Sequence, residues 1–183
     1  LFLEDCQQAW GRTFHLWLKG GECSSAEGLV CDDSGMIVRL ELTDRSLTGS
    51  IPNSITWLTA LTELVLNINN LNGDIPATIG SMSSLRILGL AKNNLSGSIP
   101  ESIGNLTGLQ ALDLGNNKLS GQIPASVMSR TDLFFLALNA NELSGSIPAS
   151  VGNLEYLDTL ELADNSLTGS IPESIGSLVQ LTL

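Results

Sequence analysis

Histidine occurs once in this chain of 183 residues, and aromatic side chains of all kinds make up 4 % of it. The lone imidazole, His15, sits between hydrophobic neighbours with no partner for a proton relay, which marks it as structural. No G-x-S-x-G, Walker-type Gly-Lys-Ser/Thr, C-x-x-C or H-E-x-x-H element stands in the sequence, so the usual signatures of serine hydrolysis, nucleotide binding and zinc chemistry are missing together. The carboxylates show no calcium-loop spacing. No cofactor, metal or catalytic group is expected. Basic residues are scarce as well, eight against nineteen acidic ones, for a net charge of -11. That surface repels a phosphate backbone and an anionic bilayer alike, which excludes nucleic acid as a partner. No run approaches the roughly 18 apolar residues of a membrane span, so this segment is not expected to insert into a membrane. With 43 % hydrophobic residues the chain is nonetheless rich enough to build a core.

Proline is held to six copies, and all six close the same hexapeptide, Leu-x-Gly-x-Ile-Pro: Leu47 to Pro52, Leu71 to Pro76, Leu95 to Pro100, Leu119 to Pro124, Leu143 to Pro148 and Leu167 to Pro172. The step is 24 residues. Leu40, Leu64, Leu88, Leu112, Leu136 and Leu160 keep it, as do Leu42, Leu66, Leu90, Leu114, Leu138 and Leu162. A fixed period of this length marks a solenoid, in which each unit shields the leucines of the next and none is stable alone.

Within a unit, the L-x-L alternation predicts one short strand with two leucines turned inward. Three residues later comes Asn69, Asn93, Asn117, Asn141 or Asn165, with Arg45 in the first unit. An amide carries donors and an acceptor on one short stem, so a stacked column can satisfy backbone groups freed where the chain leaves the strand. The Gly allows a close approach or an unusual backbone angle, the Pro needs no ladder bond, and an Ile-Gly-x-Leu tail returns the chain across the back.

The pattern L-x-x-L-x-L-x-x-N-x-L-x-G-x-I-P resembles the plant-type leucine-rich repeat. The resemblance implies a right-handed α/β solenoid with a parallel sheet on its concave face, six repeats over residues 37–183 and an N-terminal cap over 1–36. Leu3, Cys6, Trp10, Phe14 and Trp17 recur at helical spacing, as expected of a cap helix laid over the first coil. "CSSAEGLVC" resembles the cysteine element of that cap, one residue longer and without its tryptophan. The resemblance implies a disulfide between Cys23 and Cys31, hence an oxidising compartment, extracellular, cell-surface or lumenal. Cys6 is left as a buried thiol or as the partner of a residue outside this chain. The sequons at Asn94 and Asn105 suit a secreted glycoprotein. The chain opens at Leu1 without a leader, which reads as a processed product, and stops at "LVQLTL" where a seventh strand would start, so a continuation or a covering partner is expected.

In this family the outward positions of the concave strands meet the ligand. Candidate contacts here are Glu41, Glu63, Val65, Ile68, Ile87, Lys92, Asp113, Asn116, Phe135, Asn139 and Glu161, with Ile68, Ile87 and Phe135 as exposed apolar anchors. The expected partner is a protein or peptide, or the neighbouring subunits of an assembly in which the chain would be a structural accessory. A third reading takes the hydroxyl files Thr48, Ser96, Ser120, Ser144 and Thr168, with Ser50, Ser98, Ser146 and Ser170, as a flat ice-binding array, against the plain preference of tight glycine turns for small polar residues. Arg130 stands where other units have Leu58, Met82, Leu106, Leu154 or Leu178, and is expected to turn outward with Met128 filling in.

Overall fold

The computed structural model describes residues 28–182. The cap helix expected around Leu3, Cys6, Trp10, Phe14 and Trp17 lies outside them, as do His15 and Cys23. Cys31 is disulfide-bonded, and its partner also lies outside the described residues.

The chain enters through β1 (Leu29–Cys31), which runs antiparallel to β2 (Ile37–Glu41). Asp32 holds the reversal between them, its carboxylate accepting from the Ser34 N–H at 2.9 Å and the Met36 N–H at 3.0 Å. From β2 the sheet continues in parallel through β4 (Glu63–Val65), β6 (Ile87–Gly89), β8 (Ala111–Asp113), β10 (Phe135–Ala137) and β12 (Thr159–Glu161). Leu40, Leu64, Leu88, Leu112, Leu136 and Leu160 pair in register across every interface. A 24-residue step in sequence thus becomes a straight column of core side chains.

Each coil carries a second strand that the alternation did not reveal: β3 (Thr48–Gly49), β5 (Asn70–Asp74), β7 (Asn94–Ser96), β9 (Ser120–Gln122), β11 (Glu142–Gly145) and β13 (Ser166–Leu167). These make two three-stranded flank sheets. Four of these strands hold one leucine each, Leu71, Leu95, Leu143 and Leu167, and Thr48–Gly49 and Ser120–Gln122 hold no apolar residue. A strand of two to five residues with at most one inward apolar side chain leaves no period-2 signal.

After the Pro, the chain tightens into a 3₁₀ segment, as at Ala77–Ser81 and Glu101–Asn105. The i to i+3 bonds recur: Ile79 N–H to Pro76 O at 2.9 Å and Ile103 N–H to Pro100 O at 3.0 Å. Glycine within this turn is a packing requirement, because a Cβ on Gly80 or Gly104 would run into Ser102 or Ser126 of the next coil.

The asparagine column is realised. Asn93 Nδ2 donates to Leu90 O and Leu66 O at 3.0 Å each, while its Oδ1 accepts from the Leu71 N–H at 3.0 Å. Each amide therefore serves its own coil and the coil before it. Asn69 serves the first coil in this way, accepting from the Arg45 and Leu47 N–H groups at 3.1 and 2.9 Å. Position 45 carries Arg rather than Asn, so among the described residues the amide column begins at Asn69.

The fourth coil departs from the pattern, but Arg130 is only partly turned out, its Nη2 donating to Ser129 Oγ at 3.2 Å while its Nε is buried. Met128 occupies the glycine position and is fully buried, so it supplies the apolar volume that Arg130 cannot. The 3₁₀ segment contracts to Val127–Ser129. Two polar atoms are left buried without partners, Arg130 Nε and Ser150 Oγ. Ser102, Ser126 and Ser174 bond the preceding coil through Ala77 O, Glu101 O and Ala149 O. Ser150 is at the equivalent position in the coil that follows Met128, and its Oγ makes no such bond.

Candidate functional site

The strands of the parallel sheet turn their leucines inward and leave five columns of side chains facing out, with all eleven candidate contacts among them. Glu63, Ile87 and Phe135 share the column before the central leucine, and Glu41, Val65, Asp113 and Glu161 share the one after it. Asn139 stands two residues further, and Ile68, Lys92 and Asn116 form the rim where the sheet turns into the flank.

The expected apolar anchors fare differently. Ile68 is 44 % exposed, but Ile87 and Phe135 are mostly covered and only partly exposed. At about 4.8 Å between strands, an outward side chain in mid-sheet is walled in by its neighbours above and below. The residue with the larger exposed surface is Phe134, 46 % accessible at the strand entrance. The signal for it was the doublet between Leu133 and Leu136, where both positions must face out.

The middle of the sheet is smooth. Gly89, Ala91, Gly115 and Ala137 face outward yet are buried. Neighbouring amides lie over them: Asn67 Oδ1 accepts from the Ala91 N–H at 2.8 Å, and a Cβ on Gly115 would strike Asn139 Oδ1. These glycines make room for the amides that cover them.

Charge is arranged unevenly. Arg39 bridges Glu41 and Glu63, each at 2.9 Å, and these are the salt bridges among the described residues. Arg86 and Lys92, both exposed and both in the third coil, take part in none. Asp113 accepts from the Gly115 N–H at 3.2 Å. Its partial burial still pushes its carboxyl above the usual range, helped by Glu161, with Gly115 and Lys92 opposing.

The rim has a backbone peculiarity that sequence periodicity does not show. Asp44, Ile68, Lys92, Asn116, Ala140 and Asp164 all adopt left-handed conformations, φ 52 to 57. Asn and Asp tolerate this region, whereas a non-glycine residue generally spends about 1–2 kcal/mol there and a β-branched one is an outlier. Ile68 is the β-branched member of the column, at φ 57.

The remaining surfaces offer less. Asn94 and Asn105 are exposed, on the flank strand β7 and at the end of a 3₁₀ segment, so glycans there would leave the concave sheet open. On the flank, Ser120, Ser144 and Thr168 donate to Gly97, Gly121 and Gly145 carbonyls of the coil before, and Asp74 and Gln122 interrupt the outer hydroxyl file. Turn chemistry accounts for that array. A cleft of about 480 Å³ on the back of the last two coils is lined by Gly152, Glu155, Tyr156, Ser177, Val179 and Gln180. Among the described residues no cluster of His, Cys, Asp and Glu could hold a metal ion, and no helix is long and apolar enough to cross a membrane.

A family model described as a leucine-rich repeat region matches residues 65–183. Among solved structures, the leucine-rich-repeat ectodomain of the Arabidopsis thaliana membrane receptor kinase GASSHO1/SCHENGEN3, in complex with CASPARIAN STRIP INTEGRITY FACTOR 2, is 38 % identical with a TM-score of 0.83, over 86 % of this chain and 19 % of that one. The Arabidopsis receptor kinase HAESA, in complex with the peptide hormone IDA and the co-receptor SERK1, is 32 % identical with a TM-score of 0.90, over 98 % of this chain and 32 % of that one. A chain of the BIR3–SERK2 complex from Arabidopsis thaliana is 30 % identical with a TM-score of 0.82, covering 94 % of this chain and 96 % of its own length. The present chain thus spans from about a fifth to a third of the two receptor-kinase ectodomains. No curated protein sequence matches it.

Proposed function

The chain belongs to the plant-type leucine-rich-repeat family, and on that premise we propose that it is a non-enzymatic recognition module that binds a protein or peptide on its concave sheet. The observation that carries this reading is the contrast between the two faces of one strand. Inward positions are leucine in all six coils, while the column beside them runs Arg39, Glu63, Ile87, Ala111, Phe135 and Thr159. Folding demands the first and leaves the second free, so chemical individuality is concentrated on the outward face.

An extracellular or cell-surface setting fits the disulfide at Cys31, whose partner we take to be Cys23, and the exposed sequons. The similar ectodomains complexed with a peptide hormone or an integrity factor support the ligand class.

The test is selection of a random ten-residue peptide display library on the whole 183-residue chain. Selected peptides should lose binding when Ala111→Trp fills the sheet between Ile87 and Phe135, and keep it when Thr48→Trp alters the flank. Peptides that ignore the first change and respond to the second would place recognition on the flank and defeat the reading.

A further inference from the structure

We propose that the rim at Ile68 and Lys92 is a contact site for an extended peptide segment that presents an apolar side chain and, two residues along, a carboxylate. This rests on the concave-face reading above and names the ligand chemistry of one part of that face.

The first support is a mismatch between cost and return at Ile68. Its backbone is left-handed, the conformation least suited to a β-branched residue, yet 44 % of the residue is exposed and no core packing offsets the strain. The other five members of the column, Asp44, Lys92, Asn116, Ala140 and Asp164, are small, polar or unbranched at Cβ. The fold is served by any of those types, so an exposed isoleucine there answers to something outside the fold.

The second support is electrostatic. Lys92 is exposed and forms no salt bridge among the described residues of a chain with a net charge of -11, its influence on the partly buried Asp113 being the electrostatic interaction seen for it. It stands one coil from Ile68. The Ile68 N–H donates to Ala91 O at 2.9 Å and the Asn69 N–H to Lys92 O at 3.1 Å, which fixes the two positions side by side. Adjacent coils lie about 4.8 Å apart, and same-face residues of an extended segment repeat every 6.6 Å or so. The flexible lysine stem covers the difference. An apolar group over Ile68 therefore brings a carboxylate two residues on within reach of the ammonium, with the exposed amide of Asn116 beyond it.

The experiment uses the same peptide library and the whole chain with Asn94 unglycosylated. Enriched peptides are expected to carry apolar-x-Asp/Glu. Ile68→Asn, which suits the left-handed backbone and so keeps the fold, should weaken them about thirtyfold, the effect of a contact hot spot. Lys92→Glu should shift selection from acidic to basic residues at the second position. Peptides that respond to Ala111→Trp but are indifferent to both rim variants would overturn the rim site and leave the concave reading intact. Peptides indifferent to all three, or no enrichment, would overturn both.

Discussion

Replacing Asn141 by Ala removes one side chain from the amide column, and its cost can be worked from the contacts. Asn141 is 9 % exposed; Nδ2 donates to Leu114 O, Leu138 O and Asn139 O at 3.0, 3.1 and 3.2 Å, and Oδ1 accepts from the Leu119 N–H at 2.9 Å. The carbonyls do not all become orphans. Leu114 O keeps Asn117 Nδ2 and Leu138 O keeps Asn165 Nδ2, because each amide serves two coils. The Leu119 N–H loses its partner outright. An unsatisfied buried donor costs about 1–3 kcal/mol and each further lost bond about 0.5–1.5 kcal/mol. Partial rescue by the remaining acceptors brings the expected loss to about 3 kcal/mol, against under about 0.5 kcal/mol for Ala at the exposed Asn70. Urea unfolding gives the magnitude, and amide hydrogen exchange gives the place, since the Leu119 amide should lose protection before those of the second coil. A loss below about 1 kcal/mol, or unchanged exchange at Leu119, would show that the column is decorative and that the strands alone hold the coils in register.

The other expectations concern the back of the solenoid and its charges. Gly104→Ala should destabilise by about 1–3 kcal/mol in thermal melts, because its Cβ strikes Ser126 of the next coil, while Gly176→Ala, with nothing within 4 Å, should be neutral or slightly stabilising. Arg130→Leu alone should gain little, since Met128 already fills that volume; paired with Met128→Gly it should restore the Ser150 bond and exceed the sum of the single changes, a coupling read by a double-mutant cycle. Asp113, raised by burial, is easier to protonate folded than unfolded, so its ionised form opposes stability above the folded value and that penalty fades as pH falls. Asp113→Asn should therefore stabilise at neutral pH and lose its advantage in acid. Asp32 is the opposite case, lowered chiefly by the Ser34 hydroxyl and the Met36 N–H. Its support is present above the ordinary carboxylate range and is lost on acidification through its folded value, so the protection factor at Met36, the intrinsic rate at each pH divided by the observed one, should fall in acid and Asp32→Asn should remove that dependence.

Much of the scaffold was legible because repetition multiplies weak signals. One L-x-L is ambiguous, but Leu40 through Leu160 at a constant step fixed the strand, its register and the facing of its side chains. The amide column was legible for the same reason. What escaped depends on geometry between coils: the flank strands, with at most one apolar residue each, and the left-handed column, filled by residues as different as Asp44, Ile68 and Ala140. A backbone conformation that the fold imposes at one position of every repeat leaves no common residue type to read. The partial burial of Ile87 and Phe135 was missed because alternation tells which way a side chain points and not how closely its neighbours crowd it.

The amide column also bears on how the concave face can discriminate. Because each Asn ties two coils together at fixed backbone groups, one strand cannot shift without breaking bonds in the coil before it, so the outward columns behave as a rigid ruler. Six strands about 4.8 Å apart span about 24 Å, the reach of roughly seven extended residues. On such a ruler selectivity comes from the order of side chains. Here that order has carboxylates in the outer coils, at Glu41, Asp44, Glu161 and Asp164, with Arg39 bridging Glu41, and in the third coil Arg86 and Lys92, which form no salt bridge among the described residues. On the proposed reading, a ligand with an acidic group over the last coil would meet like charge, whereas one with a central carboxylate would meet Arg86 and Lys92. Rigidity, which the fold obtains from buried asparagine, is thus what makes the variable outward positions specific.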